Sequence, residues 1–356
     1  SLINERIKFI MAFTTINKSS EHFNTVLYTG NGASTHAITG VGFQPDWNWH
    51  KIRNDTDWHM VNDAVRGANY AIYPNANNAE GNVPTGLKSF DSDGFTVGSL
   101  NDSNQNNGTF VSWNWKANGT GSANTDGSIN STVSVNTTSG FSIVSYTGTG
   151  SLATVGHGLG VAPAMIIIKN RSTTNGWEVY HQSLGNTKYM QLHTTSAEGT
   201  SATRWNNTSP TSTVFTVNTE GGVNSSGGNL IAYCFAEKQG YSKFGSFVGS
   251  SSQQFIYLGF KPRWFLWKNT SQGSSTYDHW GMVDTSRQPY NGNTDGYMRA
   301  NQSSGESSFG GNGLFFLSNG IQFNNVGRYN NNSGDTYIYM AFAEAPLVGT
   351  NNVPCT

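Results

Sequence analysis

Only two cysteines occur in the 356 residues. Cys234 lies in a strand-like run and Cys355 beside the end, which excludes a disulfide framework and leaves packing to hold the fold. Charge is scarce as well. Charged residues make up 12% of the chain and the formal net charge is -1, against about 25% charged residues in an ordinary globular protein. Neither the basic footprint of a nucleic-acid binder nor an acidic tail is present. No stretch approaches the roughly 18 apolar residues of a membrane-spanning helix. The run Ile7-Lys-Phe-Ile-Met-Ala-Phe13 is too short and too interrupted for a signal-peptide core. Residue 1 is not methionine, whereas Met11-Ala-Phe-Thr-Thr offers a start, so residues 1–10 read as an upstream extension or part of a longer chain. No helix-period pattern of useful length occurs anywhere.

What the chain does have is glycine, 42 of them, and an aromatic content of 13%. Disordered chains are poor in aromatic and β-branched residues. The composition therefore reads as folded, turn-rich β structure with neutral polar surfaces, long enough for two or three domains.

One short stretch is written three times. It runs from Gly42 through Pro45 to Lys51, from Gly160 through Pro163 to Lys169, and from Gly259 through Pro262 to Lys268, with the same spacing in each copy. Proline fixes φ and lacks an N–H, so it predicts the first residue of a strand. Alternate residues of a strand face opposite sides. Met165 and Ile167 oppose Ile166 and Ile168, and Trp264 and Leu266 oppose Phe265 and Trp267, so both faces of these copies are apolar, as in a strand buried on both sides. In the first copy Trp47 and Trp49 oppose Asn48 and His50, which predicts one wet or partner-facing side.

The surrounding strand-like segments recur with it. Residues 24–118, 141–240 and 244–346 read as three β repeats of about 100 residues each. They are preceded by an arm, residues 1–23, in which Ile7, Phe9, Met11 and Phe13 alternate. Residues 119–140 form a Gly/Ser/Thr/Asn linker, and 347–356 form a tail. The period is too long for a solenoid coil or one propeller blade, so each repeat is expected to be its own domain. The class is all-β, with three tandem β-sandwich, jelly-roll-like repeats. Fibre-like trimers and a pseudo-trimer of the three repeats within one chain both remain open.

The Tyr-Thr-Gly-x-Gly start of the second repeat, His157-Gly-Leu-Gly-Val-Ala-Pro163, Trp177-Glu-Val-Tyr-His181 and the Phe-Ala-Glu closures at 235–237 and 342–344 resemble tandem domains in virion proteins of tailed bacteriophages, especially phages of marine bacteria. The resemblance covers the second and third repeats better than the first, where Trp115-Lys-Ala117 replaces Phe-Ala-Glu. It implies a tail-fibre-like or other surface component of the virion, made in the host bacterial cytoplasm. It supplies no catalytic residues.

Candidate sites are few. Trp58, Trp177 and Trp280 recur at one position inside a strand and read as core anchors with Pro45, Pro163 and Pro262, although aromatic faces also stack on sugars. Trp47, Trp49, His50 and Lys51 are the contact candidates, because only their strand alternates. Lys51, Lys169 and Lys268 are charges kept in register. Each ends an apolar strand, where lysine guards an edge, with an anionic partner as the alternative. Asp91-Ser-Asp-Gly94 starts like a calcium loop without its later glutamate and reads as a turn. Asp57 and Asp63 lie close together but have no counterparts in the second repeat, and His157, His181 and His279 lack metal spacing. No catalytic residue, metal or cofactor is expected. The leading expectation is a non-enzymatic virion protein that joins itself or other virion proteins and contacts a bacterial surface glycan, without nucleic acid or membrane insertion. The alternatives are a head-decoration or filament subunit and a virion polysaccharide depolymerase.

Overall fold

Short strands broken by glycine and asparagine turns dominate the computed structural model, which describes residues 12–289, 291, 296–308, 313–324, 327, 329–351 and 353. The alternation at Ile7, Phe9 and Met11 lies outside the described residues, as does Cys355. The described part is all-β. The first third holds β1 (Phe23–Thr29), β2 (His36–Thr39), β3 (Trp47–Ile52), β4 (Met60–Asp63), β5 (Tyr70–Ala71), β6 (Gly81–Asn82), β7 (Leu87–Asp91), β8 (Gly94–Val97) and β9 (Thr109–Trp115). Next come β10 (Ser122–Asn124), β11 (Ser131–Asn136), β12 (Phe141–Thr147), β13 (Ala153–Gly156), β14 (Met165–Asn170), β15 (Trp177–His181), β16 (Lys188–Gln191), β17 (Gly199–Thr200), β18 (Val214–Val217) and β19 (Asn229–Phe235). The last third holds β20 (Ser242–Val248), β21 (Gln254–Tyr257), β22 (Phe260–Asn269), β23 (Gly281–Asp284), β24 (Gly296–Arg299), β25 (Ser307–Ser308), β26 (Leu314–Leu317), β27 (Gly320–Phe323) and β28 (Thr336–Pro346).

One pairing order recurs. The larger sheets contain β1-β9-β3-β4, β12-β19-β14-β15 and β20-β28-β22-β23, all antiparallel, while β2-β8, β13-β18 and β21-β27 pair in smaller sheets. The Gly-Pro-Lys stretch thus supplies β3, β14 and β22. Pro45 and Pro163 are buried just ahead of their strands, as the missing N–H requires. Pro262 departs from this, because β22 begins at Phe260 and takes the proline into a register shift against β28. The register skips Glu344 on one side of the Pro262–Ala343 pair and Arg263 on the other, so the regular ladder is already interrupted where the proline lacks its donor.

Residues 119–140 are not a free linker. β11 runs antiparallel to β12, from Ser131 opposite Tyr146 to Asn136 opposite Phe141, and β10 pairs with β11. Ile129 N–H also donates to Thr154 O at 3.0 Å. The Thr132-Val133-Ser134-Val135 alternation inside the Gly/Ser/Thr/Asn stretch is the strand signal, and Val133 is buried.

The core explains the apolarity of both strand faces. Ile166 and Ile168 pack against the smaller sheet of their own third, as do Phe265 and Trp267. Met165, Ile167, Trp264 and Leu266, together with Trp47 and Trp49, face a single central cluster drawn from all three thirds. There Trp47 stacks on Tyr233 (ring centroids 4.6 Å) and Phe23 on Phe342 (5.1 Å). A two-layer unit buries one face of each sheet. Burying the second face takes a third layer, and here the other two thirds provide it. The thirds therefore share a core instead of standing apart, and each large side chain placed there contributes about 2–3 kcal/mol of transfer free energy. Ile16, from the segment before β1, is buried in the same cluster.

Candidate functional site

Trp47, Trp49, His50 and Lys51 are no contact surface. The two tryptophans are 1% exposed and His50 and Lys51 0%. The polar face of β3 is dry: Asn48 Nδ2 donates to Ser112 Oγ and Asn114 Oδ1 (both 2.8 Å), and Asn48 Oδ1 lies 2.7 Å from His50 Nδ1. Burial pushes His50 down to about 3, so it is neutral. Alternation of polar residues marks a hydrogen-bonded interior layer here, where it was expected to mark a wet side.

The three lysines are not edge guards either. Lys51 Nζ donates to the carbonyls of Ile52 (2.7 Å) and Asp55 (3.1 Å). Lys169 Nζ donates to the carbonyls of Asn170 and Asn175 and across to Asn77, and Lys268 Nζ to Asn269 and across to Thr195. Burial lowers them to about 8, 8 and 7 in chain order.

Those crossing bonds belong to a ring of three junctions. Strand register places Trp177 opposite Lys169, and its continuation places Trp280 opposite Lys268 and His59 opposite Lys51. Trp177 Nε1 donates to Tyr73 O and Trp280 Nε1 to Gln191 O, both at 3.0 Å, and His59 Nε2 lies 3.1 Å from Arg299 O. Because His59 Nδ1 accepts from Trp49 Nε1 at 3.0 Å, its Nε2 carries the proton and donates. Second crosses to first, third to second, first to third. The same cycle joins Glu80 N to Arg171 O (2.9 Å), Glu198 N to Thr270 O (2.9 Å) and Glu306 N to Arg53 O (2.6 Å). Glu80 also pairs with Arg171 (2.8 Å) and Glu306 with Arg53 (2.7 Å), while Glu198, facing threonine, pairs with Lys188.

This register corrects one anchor. Trp177 and Trp280 are buried as expected, but their counterpart is His59, and Trp58 is 38% exposed. Its true equivalents are Gly176 and His279. The Trp58 ring stands edge-on to Tyr73 (4.9 Å, 80°), and the Trp58 backbone N–H donates to Asp102 Oδ1 at 3.3 Å. Burial raises the Asp102 carboxyl. Trp58 walls a cleft of about 470 Å³ with Asn75 and Ala76 from its own third and Arg299, Asn301, Gln302, Ser303 and Ser304 from the last. The Asn75 and Asn301 carbonyls are already held, accepting from His59 N (2.9 Å) and Trp280 N (3.0 Å). Their amide groups thus sit on fixed stems. An exposed indole beside fixed amides and hydroxyls suits a ligand with an apolar face and a polar rim.

The other candidates separate. Asp63 is buried against Arg66 and accepts from Tyr233 Oη (2.7 Å), so it forms no open pair with Asp57. His181 Nδ1 accepts from Ser183 N (3.2 Å), so its Nε2 carries the proton and donates to Tyr339 O of the last third at 3.1 Å. Asp91 and Gly94 flank a hairpin turn, and Asp93 accepts from Gly42 N (2.7 Å). Among the described residues no group of three His, Cys, Asp or Glu side chains could hold a metal ion.

A family model described as Domain of unknown function (DUF7483) matches residues 18–346. No curated protein matches the chain.

Proposed function

The chain belongs to the DUF7483 family, a domain of unknown function, and we propose that it is a non-enzymatic structural and adhesive protein of a tailed-phage virion. In this reading three related β-sandwich units close into a pseudo-trimer within one chain and hold a bacterial surface glycan in the Trp58 cleft. The units are jelly-roll-like in one respect: the first strand returns to the last and the second to the one before it. The phage context draws on the sequence resemblance. The observation that carries the adhesive part is Trp58, a large aromatic left 38% exposed at a junction whose counterparts hold glycine and histidine. Among the described residues the lining of that cleft includes no carboxylate, which favours binding over glycoside hydrolysis by a carboxylate pair. The test is a glycan array probed with the whole chain and with Trp58→Ala. Binding lost in the variant supports the reading, and an array on which the wild type binds nothing overturns it.

A second reading, a head-decoration or filament subunit, draws on β21. This strand lies at the edge of its sheet with Phe255 43% and Tyr257 51% exposed, and such edges template pairing with another chain. Of the joining arm expected at residues 1–23, Ile16 and Phe23 pack into the shared core, so residues 1–11 are the part whose deletion tests joining. Removing them should abolish assembly while leaving the core intact, and unchanged assembly of the truncated chain eliminates this reading.

A further inference from the structure

We infer that the cleft between Trp58 and Arg299 takes an anionic sugar, one per chain, with the sugar ring on the indole and its carboxylate or sulfate beside the guanidinium. This rests on the glycan-binding reading above and adds the charge and the stoichiometry.

The three junctions share their framework but differ at two positions. Where the first-to-third junction sets Trp58 against Arg299, the second-to-first sets Gly176 against Tyr73 and the third-to-second sets His279 against Gln191. The one indole and the one guanidinium at these positions therefore fall in the same junction. The filling differs too. Trp177 and Trp280 occupy their junctions with indoles, whereas His59 places a smaller imidazole beneath the Trp58 cleft.

Arg299 is also unlike the arginines that close the ring. Arg53, Arg66, Arg171 and Arg287 each pair with a carboxylate, and among the described residues Arg299 pairs with none. It is held instead by neutral groups, donating to Gln302 Oε1 (3.0 Å) and Tyr297 Oη (2.9 Å), with its guanidinium 5.2 Å from the Tyr297 ring centroid. Aromatic contact and two hydrogen bonds hold the charge in place without neutralising it. A positioned guanidinium in a part-buried wall favours an oxyanion over a hydroxyl.

The test is an array of carboxylated, sulfated and neutral oligosaccharides, with calorimetry on the members bound, using the whole chain and the variants Trp58→Ala, Arg299→Gln and Arg299→Lys, each checked by thermal melting. The expected result is binding confined to acidic members at one per chain and weakened by salt. Trp58→Ala should weaken it roughly tenfold or more, Arg299→Gln by a similar factor, and Arg299→Lys less than Arg299→Gln. Neutral members bound equally well, lost in Trp58→Ala and indifferent to Arg299→Gln, would overturn the anionic inference and leave the glycan reading standing. More than one ligand per chain would overturn the single site. No binding to any member would overturn both.

Discussion

Replacing Trp280 by alanine tests whether the three thirds unfold as one body. Trp280 is 1% exposed, lies in the cluster common to all three thirds, and donates from Nε1 to Gln191 O at 3.0 Å across a junction. Removing a buried indole costs about 3–5 kcal/mol, including the cavity it leaves. How far that moves the melting temperature depends on how much of the chain melts with it, since unfolding entropy scales at about 2.1 cal/mol/K per residue. For 356 residues this gives roughly 0.75 kcal/mol/K, and a cost of about 4 kcal/mol lowers Tm by about 5 °C. If the last third melted alone, about 100 residues would give roughly 0.2 kcal/mol/K and a drop near 20 °C in a transition of its own. Differential scanning calorimetry separates the two. A single transition shifted by a few degrees, with calorimetric and van't Hoff enthalpies agreeing, is the expected outcome. A split endotherm, with about one third of the enthalpy moved far down and the rest in place, would refute the shared core.

The remaining predictions concern charge and the site. His50 and His181 are pushed down by burial to about 3 and about 4. From those values up to the unfolded value near 6.5, the unfolded chain binds more protons. Stability is therefore whole above about pH 6.5 and falls as pH drops, by about 2 kcal/mol per histidine at pH ~5. Urea midpoints measured from neutral to acid pH check this, and a flat profile down to about pH 4.5 contradicts the buried neutral rings. Glu80→Gln leaves Arg66, whose side chain is 0% exposed, short of a partner and also frees Arg171, so about 3 kcal/mol should be lost by chemical denaturation. Glu198→Gln, whose Lys188 partner is 39% exposed, should cost under about 1 kcal/mol. A reversed order would show that the ring pairs do not matter as placed. Trp58→Ala should leave Tm within a degree or two, because the side chain is part-exposed outside the shared cluster. A large destabilisation would return Trp58 to a structural role.

The Gly-Pro-Lys spacing was legible because proline and lysine each do one thing at a strand: one precedes it or sits in a bulge, the other ends it. The strands either side were legible from alternation. What alternation does not carry is the identity of the medium on each face. Asn48 and His50 give the same pattern whether they meet water or Ser112 and Asn114, so a dry hydrogen-bonded layer read as a wet one. The double apolarity of β14 and β22 did contain the shared core, since a sheet in a two-layer unit needs only one apolar face. The composition of residues 119–140 hid a hairpin because Thr, Ser and Val serve strands and linkers alike.

Trp58 shows how a one-residue offset moves a side chain from the expected core to a cleft wall. Aligned by residue type, it falls with Trp177 and Trp280 and reads as core. Aligned by backbone register, His59 takes that place, and a shift of one residue moves a side chain to the opposite face of a strand. The chain thus keeps the junction donor, as an imidazole, and turns a neighbouring indole outward to face the one arginine at that position of the ring. Deviation from the internal repeat, and not adherence to it, is the signal that points to the cleft. A variant that gives position 58 the residue of its counterpart Gly176, Trp58→Gly, and keeps His59 as the acceptor of Trp49 Nε1, should retain the ring and melt within a few degrees of the wild type by calorimetry, while losing glycan binding on the array. Binding that survived this exchange would place the ligand elsewhere on the molecule.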